Sequence, residues 1–275
     1  MVDTPFSTEG KEILSLLRKK SPEDVIQPVI DQIHLQAQEL NLGDPLVLST
    51  DAYVTSICFI GSKSLSHVLS SIERCKERLL ALGPVSPAAQ NQIIESVMSY
   101  WKDQPGIGVN IVDKLLNYTI LSPASVIEWA LTRQGERLGQ SFVFEMVSAT
   151  VGKVTKRLRQ VVQAKNAIGL LPEQRKLLED TADRERVNMK ELFQLMDDTL
   201  TEWATGSKSL PNGSTDQDEM MKQWSQRWLR VFRRKIAVED TWFTEAERAS
   251  KELKTEADAD ATAVKPDDDD IMAIE

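Results

Sequence analysis

Histidine and cysteine, the side chains that most often carry catalysis or hold transition metals, are nearly missing, with two of each in 275 residues. His34 lies at the flank of an apolar stripe, and His67 falls on the polar side of its helix with Ser71, Arg74 and Arg78. Neither has a second suitable group at triad or metal-ligand spacing, and a lone imidazole needs a positioned partner to act as a base. Cys58 and Cys75 each sit within runs of apolar helical positions, where a thiol behaves as a small hydrophobe. No disulfide staple is expected, and a reducing compartment fits.

Long apolar runs are also missing. Stretches such as 57–60 are far too short to cross a bilayer, and no basic, apolar and small-residue succession opens the chain as a secretory signal. The expectation is a soluble intracellular protein with no membrane partner. Period-two strand patterns are scarce; 52–60 comes nearest, and Asp51 placed as a helix N-cap argues for helix there too. The string Gly61-Ser62-Lys63-Ser64 stops short of a phosphate-binding loop, which needs Gly-Lys-Ser in succession and a glycine where Ser56 stands. Asn117-Tyr118-Thr119 matches a glycosylation acceptor, but without a secretory signal the match is incidental. No enzyme motif remains, and neither a cofactor nor a metal is expected.

The charge balance is uneven. From Glu239 onward there are 13 acids against 4 bases, whereas residues 1–238 hold 29 of each. A neutral body creates no strong polyelectrolyte field, so bulk charge does not argue for nucleic-acid binding.

What the sequence has in abundance is helical periodicity. Ser21-Pro22, Ser86-Pro87 and Ser122-Pro123 each offer an N-cap hydroxyl followed by a proline that misses no hydrogen bond in the first turn. Ser21 with Asp24 makes an approximate capping box. After Ser64, a stripe of Leu65, Val68, Leu69, Ile72, Leu79 and Leu82 runs to Gly83-Pro84. Ile93, Ile94, Val97, Met98 and Trp101 share one side of the next helix, and shorter stripes follow around Val112 and Ile127. Longer helices are expected over about 137–162 and 173–203, forming an extended hairpin across 137–204. The fold class is therefore all-α, built of antiparallel helical hairpins joined by short connections. The expected organisation is a helical-repeat domain over 1–205 and a flexible linker at 206–216 (GSKSLPNGSTD). C-terminal helices over 217–253 pack on the same domain, and a disordered acidic tail covers 254–275.

Two basic clusters are candidate docking sites. Lys153, Lys156, Arg157 and Arg159 form the first; Arg227, Arg230, Arg233, Arg234 and Lys235 form the second, interleaved with Trp224, Trp228 and Phe232. One reading is a face for RNA phosphates or an acidic partner. The other is a surface helix whose aromatics belong to the core, since aromatics at helical spacing usually face inward, with charges balanced by the acidic tail.

At 56–80 (SICFIGSKSLSHVLSSIERCKERLL) and 93–131 the sequence resembles the third, C-terminal helical domain of the large subunit of the nuclear cap-binding complex. The Ser62–His67 string, the Trp101–Pro105 helix end, the Val112-Asp113-Lys114-Leu115-Leu116 segment and the Val126–Trp129 helix carry the resemblance, which covers roughly residues 3–250 and has a fungal flavour. It implies a right-handed stack of antiparallel helix pairs, of the HEAT and armadillo type and similar to the middle domain of translation initiation factor four-G. It implies a scaffold that supports the small RNA-recognition-motif subunit, meets capped RNA only indirectly, and recruits RNA-processing, export and decay factors. A nuclear location follows, with shuttling to the cytoplasm as an option. The resemblance carries over no cap-contacting residue, and a direct RNA-binding helical repeat stays open as the alternative.

Overall fold

The computed structural model describes residues 6–133, 137–167, 169–210 and 213–263, with the side chains of 133 and 253–263 left out. Among the described residues there is no strand. The helices are α1 (Ser7–Arg18), α2 (Glu23–Glu39), α3 (Pro45–Ile60), α4 (Leu65–Arg74), α5 (Lys76–Leu82), α6 (Pro87–Tyr100), α7 (Pro105–Asn117), α8 (Pro123–Glu128), α9 (Ser141–Lys165), α10 (Pro172–Thr205) and α11 (Thr215–Ala263). A 3-10 turn, Gly83–Val85, links α5 to α6, and a π-helical turn, Trp129–Arg133, extends α8.

The helices form two layers. In one, α3 packs on α6, α6 on α8 and α8 on α10; in the other, α4 packs on α7 and α7 on α9. Consecutive helices are therefore hairpin partners across the layers, the HEAT-like arrangement expected of short connections between amphipathic helices. The core runs the length of the stack, from Ile13 and Ile26 through Tyr53, Ile94 and Ile127 to Val147 and Leu200, all buried. Helix α3 lies between α1, α2 and α6 and is apolar round most of its circumference, as a helix surrounded by others must be.

Local signals set the boundaries. Ser86 and Ser122 cap α6 and α8 as their Ser-Pro pairs suggest, each hydroxyl accepting from the amide three residues on, at 3.0 Å from Ala89 and 3.1 Å from Ser125. Ser21 does not cap. Its amide donates to the Leu16 carbonyl at 3.0 Å while Lys20, at φ 57°, donates to Leu17, so Ser21 closes the C-terminal turn of α1. Pro22 then takes the N-cap position of α2 with no side-chain bond, and the Ser21–Asp24 box does not form. Asp51 is likewise not an N-cap: α3 starts earlier, where Asp44 accepts from Leu46 at 2.9 Å, and Asp51 instead receives the Ser96 hydroxyl at 2.6 Å from α6. The stripe after Ser64 is broken at Cys75 into α4 and α5.

The C-terminal third departs furthest from expectation. The segment after α10 is tied down where described: Lys208 donates to the Glu202 carbonyl, the Leu210 amide to Asp218 at 2.9 Å, and the Leu210 side chain packs on the core. In place of two helices over 217–253 there is one, α11, which continues through Ala263 and so replaces the expected tail over 254–263 with helix. Its Lys, Glu and Ala residues favour helix intrinsically, and no Gly or Pro interrupts it before Pro266. The expectation for 264–275 lies outside the described residues.

Candidate docking surfaces

Helices α9, α10 and α11 make a bundle at one end of the stack. Trp228 and Phe232 of α11 are buried, with Phe144 of α9 edge-on to Trp228 at 5.2 Å between ring centres, so these interleaved aromatics are core. Glu239 fixes the register. Only 2% exposed, it accepts from Arg159 of α9 at 2.8 Å and from Lys235 at 3.1 Å, while the Arg159 guanidinium also covers Trp242. Arg186 of α10 pairs with Glu247, and Ser250 of α11 donates to Asn166, the C-cap of α9, at 3.1 Å.

This packing splits both basic clusters. In the first, Arg159 turns toward α11, whereas Lys153, Lys156 and Arg157 point the other way, into a groove of about 750 Å³ where α9 meets the turn between α7 and α8. Leu116, Leu121 and Val154 give the groove an apolar floor, with Pro84 and Pro123 at its rim. Lys153 bonds Asp113 at 3.0 Å and Asn117 at 2.7 Å; Arg157 engages Glu185 through Nε at 2.9 Å with its side chain 63% exposed; Lys156 is exposed and has no ion pair among the described residues. In the second cluster, Lys235 joins Glu239, and Arg233 makes a two-pronged contact with Asp197 of α10 at 2.6 and 2.9 Å. That contact holds the Asp197 carboxyl below its ordinary value, first through the hydrogen bonds from Arg233. Arg227, Arg230 and Arg234 remain on one exposed stripe of α11, Arg227 stacked over Trp224 at 4.9 Å and the half-exposed Val231 between them.

Sequence reasoning found the cations but missed Glu239, which takes one cation from each cluster, Arg159 and Lys235. Its signal was the Lys235–Glu239 spacing of four. The groove side was also legible, because 153, 156, 157 and 160 fall on one face at spacings of three and four.

The histidines do structural work: His34 Nε2 lies 2.8 Å from the Ser49 hydroxyl and His67 Nδ1 lies 2.7 Å from that of Ser64, the N-cap of α4. Among the described residues no three His, Cys, Asp or Glu side chains are grouped as a metal site would require, and no helix is long and apolar enough to cross a membrane.

A stack of helical hairpins is an arrangement that comparison with known families can place. The profile described as "MIF4G like" matches residues 2–241. The chain belongs to the MIF4G-like family. Among curated proteins this MIF4G-like chain is 29% identical over 169 residues to nuclear cap-binding protein subunit 1 of Schizosaccharomyces pombe, covering 62% of this chain and 21% of that protein. It is 27% identical over 171 residues to the protein of the same name from Anopheles gambiae, covering 59% of this chain and 21% of the relative. The protein of that name from Aedes aegypti is 26% identical over 171 residues. The chain thus spans about a fifth of the length of the curated relatives it matches. Both basic clusters lie inside the span of the MIF4G-like match.

Proposed function

We propose that this MIF4G-like chain is the C-terminal helical domain of a cap-binding complex large subunit and acts as a non-enzymatic scaffold. It supports a small RNA-recognition-motif subunit, meets capped RNA through that subunit, and offers docking surfaces to RNA-processing, export and decay factors in the nucleus. The observation that carries the reading is the coincidence of two independent features. The relatives similar in sequence are named as cap-binding subunits, and this chain folds as a hairpin stack in which Arg159 and Arg233 hold helices together. Shuttling to the cytoplasm accompanies the export role. The test is co-purification of a full-length relative carrying this chain in place of its own matching region with the small subunit. Retention that is lost when residues 2–241 are removed is the expected result; undiminished retention without them overturns the reading.

A second reading is favoured by one feature, the exposed Arg227, Arg230 and Arg234 stripe: direct contact with RNA phosphates. Such binding would weaken steeply with salt as counterions are released, and Arg→Ala changes on the stripe would flatten the slope by about one for each phosphate contact removed. Protein docking alone need show neither behaviour.

A further inference from the structure

The groove between α9 and the α7–α8 turn is chemically specific about what could fill it. Leu116, Leu121 and Val154 form an apolar floor, and the cations stand along one wall. Among the described residues no aromatic ring lines it, so a nucleobase would find no face to stack on. Lys153 and Arg157 are already matched by Asp113 and Glu185, which leaves Lys156 and the outer guanidinium nitrogens of Arg157 as the available donors. That is too weak a field for a phosphodiester backbone, and sufficient for one or two carboxylates beside aliphatic side chains. Gln160, exposed at the same wall, can bond to a peptide backbone.

The chain carries a segment with this order of chemistry: Asp267, Asp268, Asp269 and Asp270 followed by Ile271, Met272 and Ile274. We propose that the groove is a receptor for this acidic-then-aliphatic segment, presented by a second copy of the chain. The second copy follows from the helix that precedes the segment. Ser250 of α11 is bonded to Asn166 at the C-cap of α9, and α11 continues to Ala263, about 20 Å further at 1.5 Å per residue. Lys156 lies about 15 Å behind Asn166 along α9 by the same rise. Some 35 Å therefore separate Ala263 from Lys156, whereas Asp267 reaches at most about 14 Å and Asp270 about 24 Å beyond Ala263 even when fully extended. The segment cannot return to its own groove while α11 is intact, nor to Arg234, about 44 Å back along the same helix. The Arg227–Arg234 stripe is a rival receptor in a second copy, but it is one face of a single helix, where Val231 and Trp224 offer apolar contact without the groove walls that would enclose Ile271 or Met272. The proposal is independent of membership in a cap-binding assembly.

Sedimentation velocity of the 275-residue chain over a range of concentrations at low salt tests it. The expected result is concentration-dependent association that a free peptide of residues 264–275 competes away. Lys156→Glu with Arg157→Glu should weaken it at least tenfold, with helix content unchanged by circular dichroism, and so should ending the chain at Ala263. Combining the groove changes with Asp267→Lys and Asp268→Lys in one chain should restore it. Monomer at every concentration overturns the proposal. So does association that survives the groove changes, or that is lost only with Arg227→Glu and Arg230→Glu.

Discussion

At the scale of single residues, burial decides most outcomes. Trp101 ends α6 and is 7% exposed against Val97 and Met98, so Trp101→Ala should cost about 3–5 kcal/mol in a urea melt, the range for removing a large buried aromatic. A loss under about 1 kcal/mol would mark it as a surface residue. Burial also pushes the Cys58 thiol up to about 12 and raises Cys75 as well, so neither should react with a thiol reagent at pH 8 until the chain unfolds. Labelling of either at the rate of a free thiol would contradict the packing around them. Lys20 occupies the left-handed turn after α1 that glycine fills without steric cost. Lys20→Gly should therefore raise stability by about 1 kcal/mol, read as a shift in the urea midpoint. The Ser-Pro signals at 86 and 122 announced their helix starts correctly because the capping bond is local. The same signal at 21 misled because the turn ending α1 had already claimed that serine, a contest between adjacent elements that no single motif records.

At the scale of elements, the ion pairs fasten α11 to its neighbours with unequal strength. Glu239 is buried between Arg159 and Lys235, so Glu239→Ala strands two cations and should destabilise by about 1–3 kcal/mol, less than for a wholly buried pair because both bases keep contact with solvent. Arg233–Asp197 is surface-exposed and should contribute well under 1 kcal/mol despite its two-pronged geometry. Its sign with pH is definite: the folded carboxyl lies below its ordinary value of 3.8, so its stabilisation is present above that pH and fades as pH falls through the lower, folded value. The difference in stability between parent and Asp197→Asn, followed by urea melts from pH 6 down to pH 3, should shrink toward zero. A difference that grew toward low pH would contradict the pairing. The unbroken length of α11 was not legible, because an acidic, alanine-rich stretch reads equally as a solvated coil. Intrinsic helix preference propagating from a packed segment decides the matter, and composition alone does not weigh it.

At the scale of the whole molecule, the all-α class and the hairpin order were readable from 3.6-residue stripes and short connections. The layer pairings, α3 with α6 and α7 with α9, arise from contacts distant in sequence. The candidate docking surfaces were half legible for the same reason: the cations announce themselves in the sequence, and their partners on other helices do not. The proposed role is a scaffold that engages proteins and leaves recognition of the cap to another subunit. Fluorescence anisotropy of the chain alone with a short RNA, capped and uncapped, at low and physiological salt tests this most directly. The account predicts weak binding at best, screened by salt and the same for both RNAs. Affinity that rises with the cap and persists at physiological salt would contradict it.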